Sequence, residues 1–153
     1  MVIRKALWVD IPRLTELARE LHQASKYRDY KEDEQEFKDI CMESIRSGDH
    51  CLFVIEAQEV VEGFIIGMTA PLYVFTKAKY ATDLLFYATE KGRAGAMALA
   101  AAFDKWARED TKVAEVWLGV TNALVDDWRR FDGPYGRMGY ELSGGIFMKR
   151  IER

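Results

Sequence analysis

The run over residues 83–108 constrains the chain more than any other. An apolar segment, Asp83-Leu84-Leu85-Phe86-Tyr87-Ala88, passes through Thr89-Glu90-Lys91-Gly92-Arg93-Ala94-Gly95 into an alanine-rich stretch that starts with Ala96 and Met97. The first part has the length and aromatic content of a buried strand, and Leu99, Ala102, Phe103 and Trp106 then fall on one face of a helix. A strand delivered into a helix through Gly92 and Gly95 leaves backbone N–H groups at the helix start without intrahelical acceptors, all pointing one way. Such a turn is a ready anion site. The alanines favour helix and permit close approach to a sheet.

The rest of the chain arranges itself around that unit. Residues 2–7 read as a first strand, after which Asp10 stands at an N-cap position with Pro12 in the first turn. Leu14, Leu17, Ala18 and Leu21 follow at helical spacing, with Arg13, Glu16, Arg19 and Glu20 on the outer face. Beyond the polar residues 25–33, Phe37, Ile40, Cys41 and Ile45 predict a second helix that stops near Gly48. Residues 51–56 and 60–69 predict a hairpin across Ala57-Gln58-Glu59, and residues 81–88 a third strand after the loop over 71–80. Residues 115–120 predict a further strand, and Thr121 or Asn122 caps a helix running to about Phe131, which Asp132-Gly133-Pro134 ends. Two closing strands, 138–142 and 145–151, are expected to join at Ser143-Gly144. The order is β, α, α, β, β, β, α, β, α, β, β within one domain over residues 1–153.

Composition narrows the function classes. With 49% hydrophobic and 31% charged residues the chain suits a globular protein with one core. A formal charge of −3 argues against a nucleic-acid or membrane-surface binder, both of which need a concentrated basic face. Short pairs such as Arg129-Arg130 read as a solvated helix face. The longest apolar runs are too short for a bilayer span, and residues 1–5 lack the pattern of a secretory signal, so a cytoplasmic location is expected. Cys41 and Cys51 lack partners at zinc-site spacing and read as packing thiols; no metal site is expected. His22 reads as a boundary residue of the first helix and His50 as a turn residue before a strand.

The element order, with a glycine-bearing turn after the fourth strand, resembles the GCN5-related N-acetyltransferase family over nearly the whole chain. The segment from Asp83 to Ala96 is similar to the family's strand followed by a Q/R-x-x-G-x-G/A turn, with Lys91, Ala94 and Ala96 at the motif positions. Asn122 stands just after the fifth strand, and Tyr135-Gly136-Arg137-Met138-Gly139-Tyr140 resembles the family's Tyr-x-x-x-Gly-Phe/Tyr segment. The resemblance implies an α+β fold, a central mixed, mostly antiparallel sheet flanked by helices, and an acetyl-CoA-dependent transfer of an acetyl group to an amine, a small molecule or a peptide. A homodimer is in keeping with the family.

Carried over residue by residue, the resemblance implies that Leu84, Leu85, Phe86 and Tyr87 line the pantetheine arm, with the thioester carbonyl near the Phe86 N–H. Lys91, Gly92, Arg93, Ala94, Gly95, Ala96 and Met97 hold the pyrophosphate. Tyr135 stands at the position of the general acid, and is also readable as a packed aromatic beside Pro134. Asp83 stands where relatives carry a carboxylate, to act as base directly or through water, and is also readable as a plain strand residue. Asn122 either bonds the pantetheine or a water, or only caps a helix. Trp8, Tyr27, Tyr30 and the 73–80 loop are placed to wall an acceptor pocket. Lys91 replaces the usual Gln or Arg, which keeps a donor but loses its planar geometry; Ala94 replaces the first motif glycine and the interval from Asn122 to Tyr135 is long, and these last two departures support the alternative of a non-catalytic acyl-CoA-binding or regulatory module.

Overall fold

Two apolar cores, one on each face of a single sheet, follow from the period-two alternation of the central strands. In the computed structural model, which describes residues 1–120 and 127–151, five strands lie in the spatial order β1-β2-β3-β4-β5. They are β1 (Val2–Lys5), β2 (His50–Ala57), β3 (Val60–Pro71), β4 (Lys79–Ala88) and β5 (Val113–Trp117). Neighbours from β1 to β4 pair antiparallel, and β5 joins β4 in parallel. On one face α1 (Ile11–Ala24) and α2 (Glu34–Arg46) bring Leu14, Leu17 and Cys41 onto Leu52, Val54, Phe64 and Ile66. On the other, α3 (Ala96–Ala107) brings Leu99 and Phe103 onto Phe53, Ile55 and Ile65. Because both faces are covered, residues 51–55 are apolar without interruption. This is the mixed, mostly antiparallel α+β arrangement that the sequence led us to expect.

Local chemistry sets the element ends. Gln58 and Glu59 have φ of 52° and 63°, so the β2–β3 hairpin turns on these two residues alone, as a type I′ turn requires. Asp10 precedes α1 as expected but does not cap it. Its carboxylate accepts the Leu7 N–H at 2.7 Å and the Arg4 guanidinium at 2.7 and 3.0 Å, and Arg4 holds it below the usual aspartate range. That turn stops β1 at Lys5 rather than residue 7. Asp33 caps α2 by accepting the Glu36 N–H at 3.0 Å.

The C-terminal third departs from the sequence reading. Asn122, with the start of the expected helix, lies outside the described residues. From Trp128 the chain makes a 3-10 turn to Phe131 and enters α4 (Asp132–Arg137). Asp132-Gly133-Pro134 is therefore the first turn of a helix and not its end, because a proline there lacks only an N–H that would have had no intrahelical partner. The expected strands 138–142 and 145–151 do not form; residues 138–151 hold neither helix nor strand. Gly139 and Gly144, at φ of 88° and 102°, turn the chain out of the extended region, and Ile146 and Phe147 stand exposed.

Gly67 marks the tightest contact between α3 and the sheet. A methyl group there would fall inside the Phe103 ring and lie 3.0 Å from Cys51 Sγ. We expect Gly67→Ala to destabilise the fold by about 1–3 kcal/mol through overpacking. Urea unfolding measures this, and Gly67→Ala combined with Phe103→Leu should regain part of the loss.

Candidate active site

β4 is paired on both sides for only part of its length. It pairs with β3 through to Ala88, but with β5 only from Lys79 to Thr82. Beyond Thr82 the two parallel strands separate, and the β4 edge from Asp83 to Ala88 has no strand partner among the described residues. The cause lies in the register: Gly67 pairs with Asp83 and Ile66 with Leu85, so Leu84 is an extra residue in β4. A bulge of this kind bends its strand and increases the local twist.

Asp83 stands in the fork so formed. Its Oδ1 accepts the Gly119 N–H at 2.6 Å, which ties the end of β5 to β4 where they part. Burial pushes the carboxyl above the usual aspartate range, and the Gly119 bond opposes this in part. Tyr135, on α4, packs between Phe131 and Tyr140, with ring centroids 5.8 and 5.9 Å away. The Tyr140 hydroxyl donates to Asp104 Oδ1 at 3.0 Å and so fastens this segment to α3. Burial first, and the negative charge of Asp83 second, push the Tyr135 hydroxyl up to about 12. The Asp83 charge thus reaches Tyr135, far from it in sequence.

The turn from β4 to α3 is held from the sheet side. The Thr89 N–H donates to the Glu62 carbonyl at 2.8 Å and its hydroxyl to Glu62 Oε2 at 2.7 Å, while the Gly92 N–H donates to Thr89 Oγ1 at 3.2 Å. The Gly95 and Ala96 N–H groups bond the Gly92 and Arg93 carbonyls in a 3-10 turn. Gly92, Gly95 and Ala96 therefore spend their amides inside the turn. As the first residues of that turn, Arg93 and Ala94 have N–H groups without an acceptor inside it. Lys91 and Arg93 are exposed beside them. Both glycines answer close approach: a methyl at Gly92 would meet the Glu62 carbonyl, and one at Gly95 would lie 2.7 Å from Met1 Sδ and 3.1 Å from Ile55. Ala94 is exposed, with its methyl away from that packing.

Glu62 was not singled out from the sequence. It is buried, with 7% exposure, and faces Arg13 at 3.7 Å, while Arg13 Nε donates to the Val61 carbonyl at 3.0 Å. Its signal was a single acid inside the apolar run of residues 60–66, where a charge needs a partner. Gly119 was also missed; a glycine ending the apolar run 116–118 was the available sign.

The other singled-out residues divide by face. Leu85 and Tyr87 pack toward α1 and α2, and Phe86 toward α3. The Tyr87 hydroxyl reaches Glu20 Oε2 at 3.5 Å. Of residues 84–87 only Leu84 is exposed, so this stretch offers chiefly backbone to a ligand. His22 Nε2 donates to the Tyr30 carbonyl at 2.9 Å, and His50 lies in β2 opposite Met68. Burial pushes the free thiols of Cys41 and Cys51 up to about 12, too high for a nucleophile at neutral pH. Trp8, Tyr27, Tyr30 and Tyr73 are exposed. Among the described residues no helix is long and apolar enough to cross a membrane.

No family model matches the chain, nor does any curated protein. Solved structures do. A glucosamine-6-phosphate N-acetyltransferase from Arabidopsis thaliana is 16% identical, with TM-score 0.72 over 99% of this chain and 98% of that one. AAC(6')-Iy, solved with the bisubstrate analog CoA-S-monomethyl-acetylneamine, is 15% identical, with TM-score 0.72 over 99% and 98%. A transcriptional regulator from Bacillus halodurans C-125 is 17% identical, with TM-score 0.73 over 98% and 99%. At these identities the likeness establishes the fold.

The raised Asp83 carboxyl has a stability consequence. Its ionised form is disfavoured in the fold, so the penalty is fully present above the folded pKa and vanishes as pH falls below the unfolded value of 3.8. Asp83→Asn keeps an acceptor for the Gly119 N–H and removes the charge. We expect this variant to melt at or above the parent at pH 7, with the difference closing as pH falls toward 3.8. Calorimetry across that range measures it.

Proposed function

We propose that this chain, whose fold is that of the GCN5-related N-acetyltransferases, transfers an acetyl group from acetyl-CoA directly to an amine. The observation that carries this reading is the fork itself: an unpartnered β4 edge with a disfavoured carboxylate and a protonated tyrosine at its mouth. Acetyl-CoA supplies the thioester, whose C–S bond breaks as the new C–N bond forms. The residues fit that co-substrate. A free strand edge suits an amide-bearing arm, and the N–H groups of Arg93 and Ala94, with the Lys91 and Arg93 side chains beside them, suit a pyrophosphate. Hydrogen bonds to such a charged group contribute roughly 1.5–3 kcal/mol each.

Asp83 removes a proton from the attacking amine, directly or through a water. With Oδ1 engaged by Gly119, the uptake falls to Oδ2. Tyr135 donates to the sulfur that leaves, so the proton lost at nitrogen is matched by one offered at sulfur. The thiols of Cys41 and Cys51 are buried and held protonated, which favours direct transfer over an acyl-enzyme. The acceptor is an amine on a small molecule or a peptide.

Melting in the presence of acetyl-CoA tests the first half of this reading. For a micromolar Kd, ligand at about 1,000 times Kd adds about 4 kcal/mol, which raises Tm by roughly 8–16 °C in a chain of this size. No shift at millimolar acetyl-CoA would sink the proposal. Tyr135→Phe should lower kcat about 100-fold while leaving that shift intact, as read by release of free thiol. Binding without any amine-accelerated turnover would point instead to a non-catalytic acyl-CoA-binding module. Ala94→Gly, at an exposed methyl, should bind acetyl-CoA at least as tightly as the parent by the same melting measurement.

A further inference from the structure

We infer that the acceptor carries a second ammonium group besides the amine that reacts, as a diamine does, and that Trp117, Tyr80 and Glu115 hold it at the mouth of the fork. The inference rests on the acetyl-transfer reading for the word acceptor, but the cation site does not depend on that reading.

Strand register fixes where these residues stand. On β5, Val116 and Leu118 pack toward α3, as Ala81 does on β4. Alternation therefore turns Tyr80 and Thr82, with Glu115 and Trp117, to the opposite face of the sheet. Tyr80 pairs with Glu115 and Thr82 with Trp117, the last pair before the strands part. Two residues after Trp117, Gly119 donates to Asp83. Trp117 thus lies about 7 Å along β5 from the residue that touches the proposed base. Tyr135 and Tyr140 stand on the α3 side, where the Tyr140 hydroxyl is fastened to Asp104. The Trp117 face is the one from which an acceptor meets the fork without displacing them.

This face is built for a cation. The Trp117 indole lies against Tyr80, with ring centroids 4.2 Å apart, and is still 47% exposed. Its Nε1 donates to Glu115 Oε2 at 2.8 Å, which steadies the ring and leaves Oε1 of an exposed carboxylate without a partner among the described residues. An ammonium over such a ring is attracted by the negative π-face, and the carboxylate alongside adds its charge. No cation of the paired stretch competes. Residues 80–83 and 113–119, with residues 67–71 of β3 beside them, include the acids Asp83 and Glu115 and no Lys, Arg or His. Lys79 is engaged by Asp49 and Asp110, at 3.0 and 3.3 Å. Lys112 comes three residues before Glu115, about 10 Å along the chain and away from the fork. His50 shares a cross-strand row with Met68, Thr82 and Trp117, and lies three strands, about 14 Å, from the indole. Two acids, one in the fork and one just before it, match two ammonium groups on one short chain. Four carbons between two nitrogens span about 6 Å when extended.

Matched amines test this without requiring turnover. The full chain, free of acetyl-CoA, is titrated with 1,4-diaminobutane and with 4-aminobutan-1-ol, which replaces one ammonium by a hydroxyl, while indole and backbone N–H resonances are followed. The Trp117 indole resonance, identified as the one lost in Trp117→Phe, is expected to shift, and the diamine to bind about 10-fold tighter than the amino alcohol. Glu115→Gln keeps an acceptor for the indole N–H and removes the charge, so it should reduce that preference to about 2-fold or less. Equal affinity for the two amines, an unmoved Trp117 indole, or a preference that survives Glu115→Gln would overturn the inference. A chain that fails to bind acetyl-CoA still gives these titrations, so the two readings fail separately.

Discussion

An unpartnered strand edge inside an otherwise paired sheet is the constraint on which this structure turns. Backbone N–H and C=O groups need partners, and among the described residues β4 from Asp83 to Ala88 has strand partners on the β3 side alone. Three features keep that edge from closing onto β5. The Leu84 bulge bends β4 away, the Gly119–Asp83 bond ties the strands just where they part, and β5 ends at Trp117. The bulge is also where α3 docks. Gly67 pairs with Asp83, and Phe103 lies on Gly67 with no room for a methyl between them. One contact thus sets the helix that opens at the β4–α3 turn and the residue that stands in the fork.

A similar economy governs the turn. Glu62 is a buried acid close to the proposed pyrophosphate site, which would be unfavourable if its charge pointed there. Arg13 and the Thr89 hydroxyl draw that charge inward, and the Thr89 oxygen then accepts the Gly92 N–H. The N–H groups of Arg93 and Ala94, first in the turn, are left beside two exposed cations. The glycines of this turn are needed for contact with Glu62, Met1 and Ile55. A motif glycine at position 94 is dispensable on that account, since the Ala94 methyl lies on the exposed side.

What the sequence made legible follows from where the physics is local. The strand, turn and helix from β4 to α3, the two first helices and the β2–β3 hairpin carry strong periodicity, and their ends shift by only a few residues. The C-terminal third is different. Pro134 reads as a helix end unless one knows that it falls in a first turn, and the alternation of residues 145–151 suggests a strand although Gly139 and Gly144 divert the chain. The fork was not legible from periodicity, because a one-residue bulge at Leu84 leaves no mark on composition. Asp83 and Tyr135 were named through family resemblance, and only the fold shows that the charge of the first reaches the second.

The coupling between those two residues orders the proposed proton transfers. A tyrosine at about 12 is a poor acid toward a thiolate, whose ordinary value near 8.5 makes full transfer uphill by roughly 5 kcal/mol at 1.36 kcal/mol per unit. The Asp83 charge is one cause of that elevation. Once Asp83 accepts the amine proton it becomes neutral, and this cause disappears. Tyr135 is then a stronger donor at the stage when negative charge builds on sulfur. Burial still holds its hydroxyl up, so it serves best as a hydrogen-bond donor during C–S cleavage, with solvent completing the protonation afterwards. The base acts first and thereby strengthens the acid, which requires only that the two groups share one poorly solvated fork.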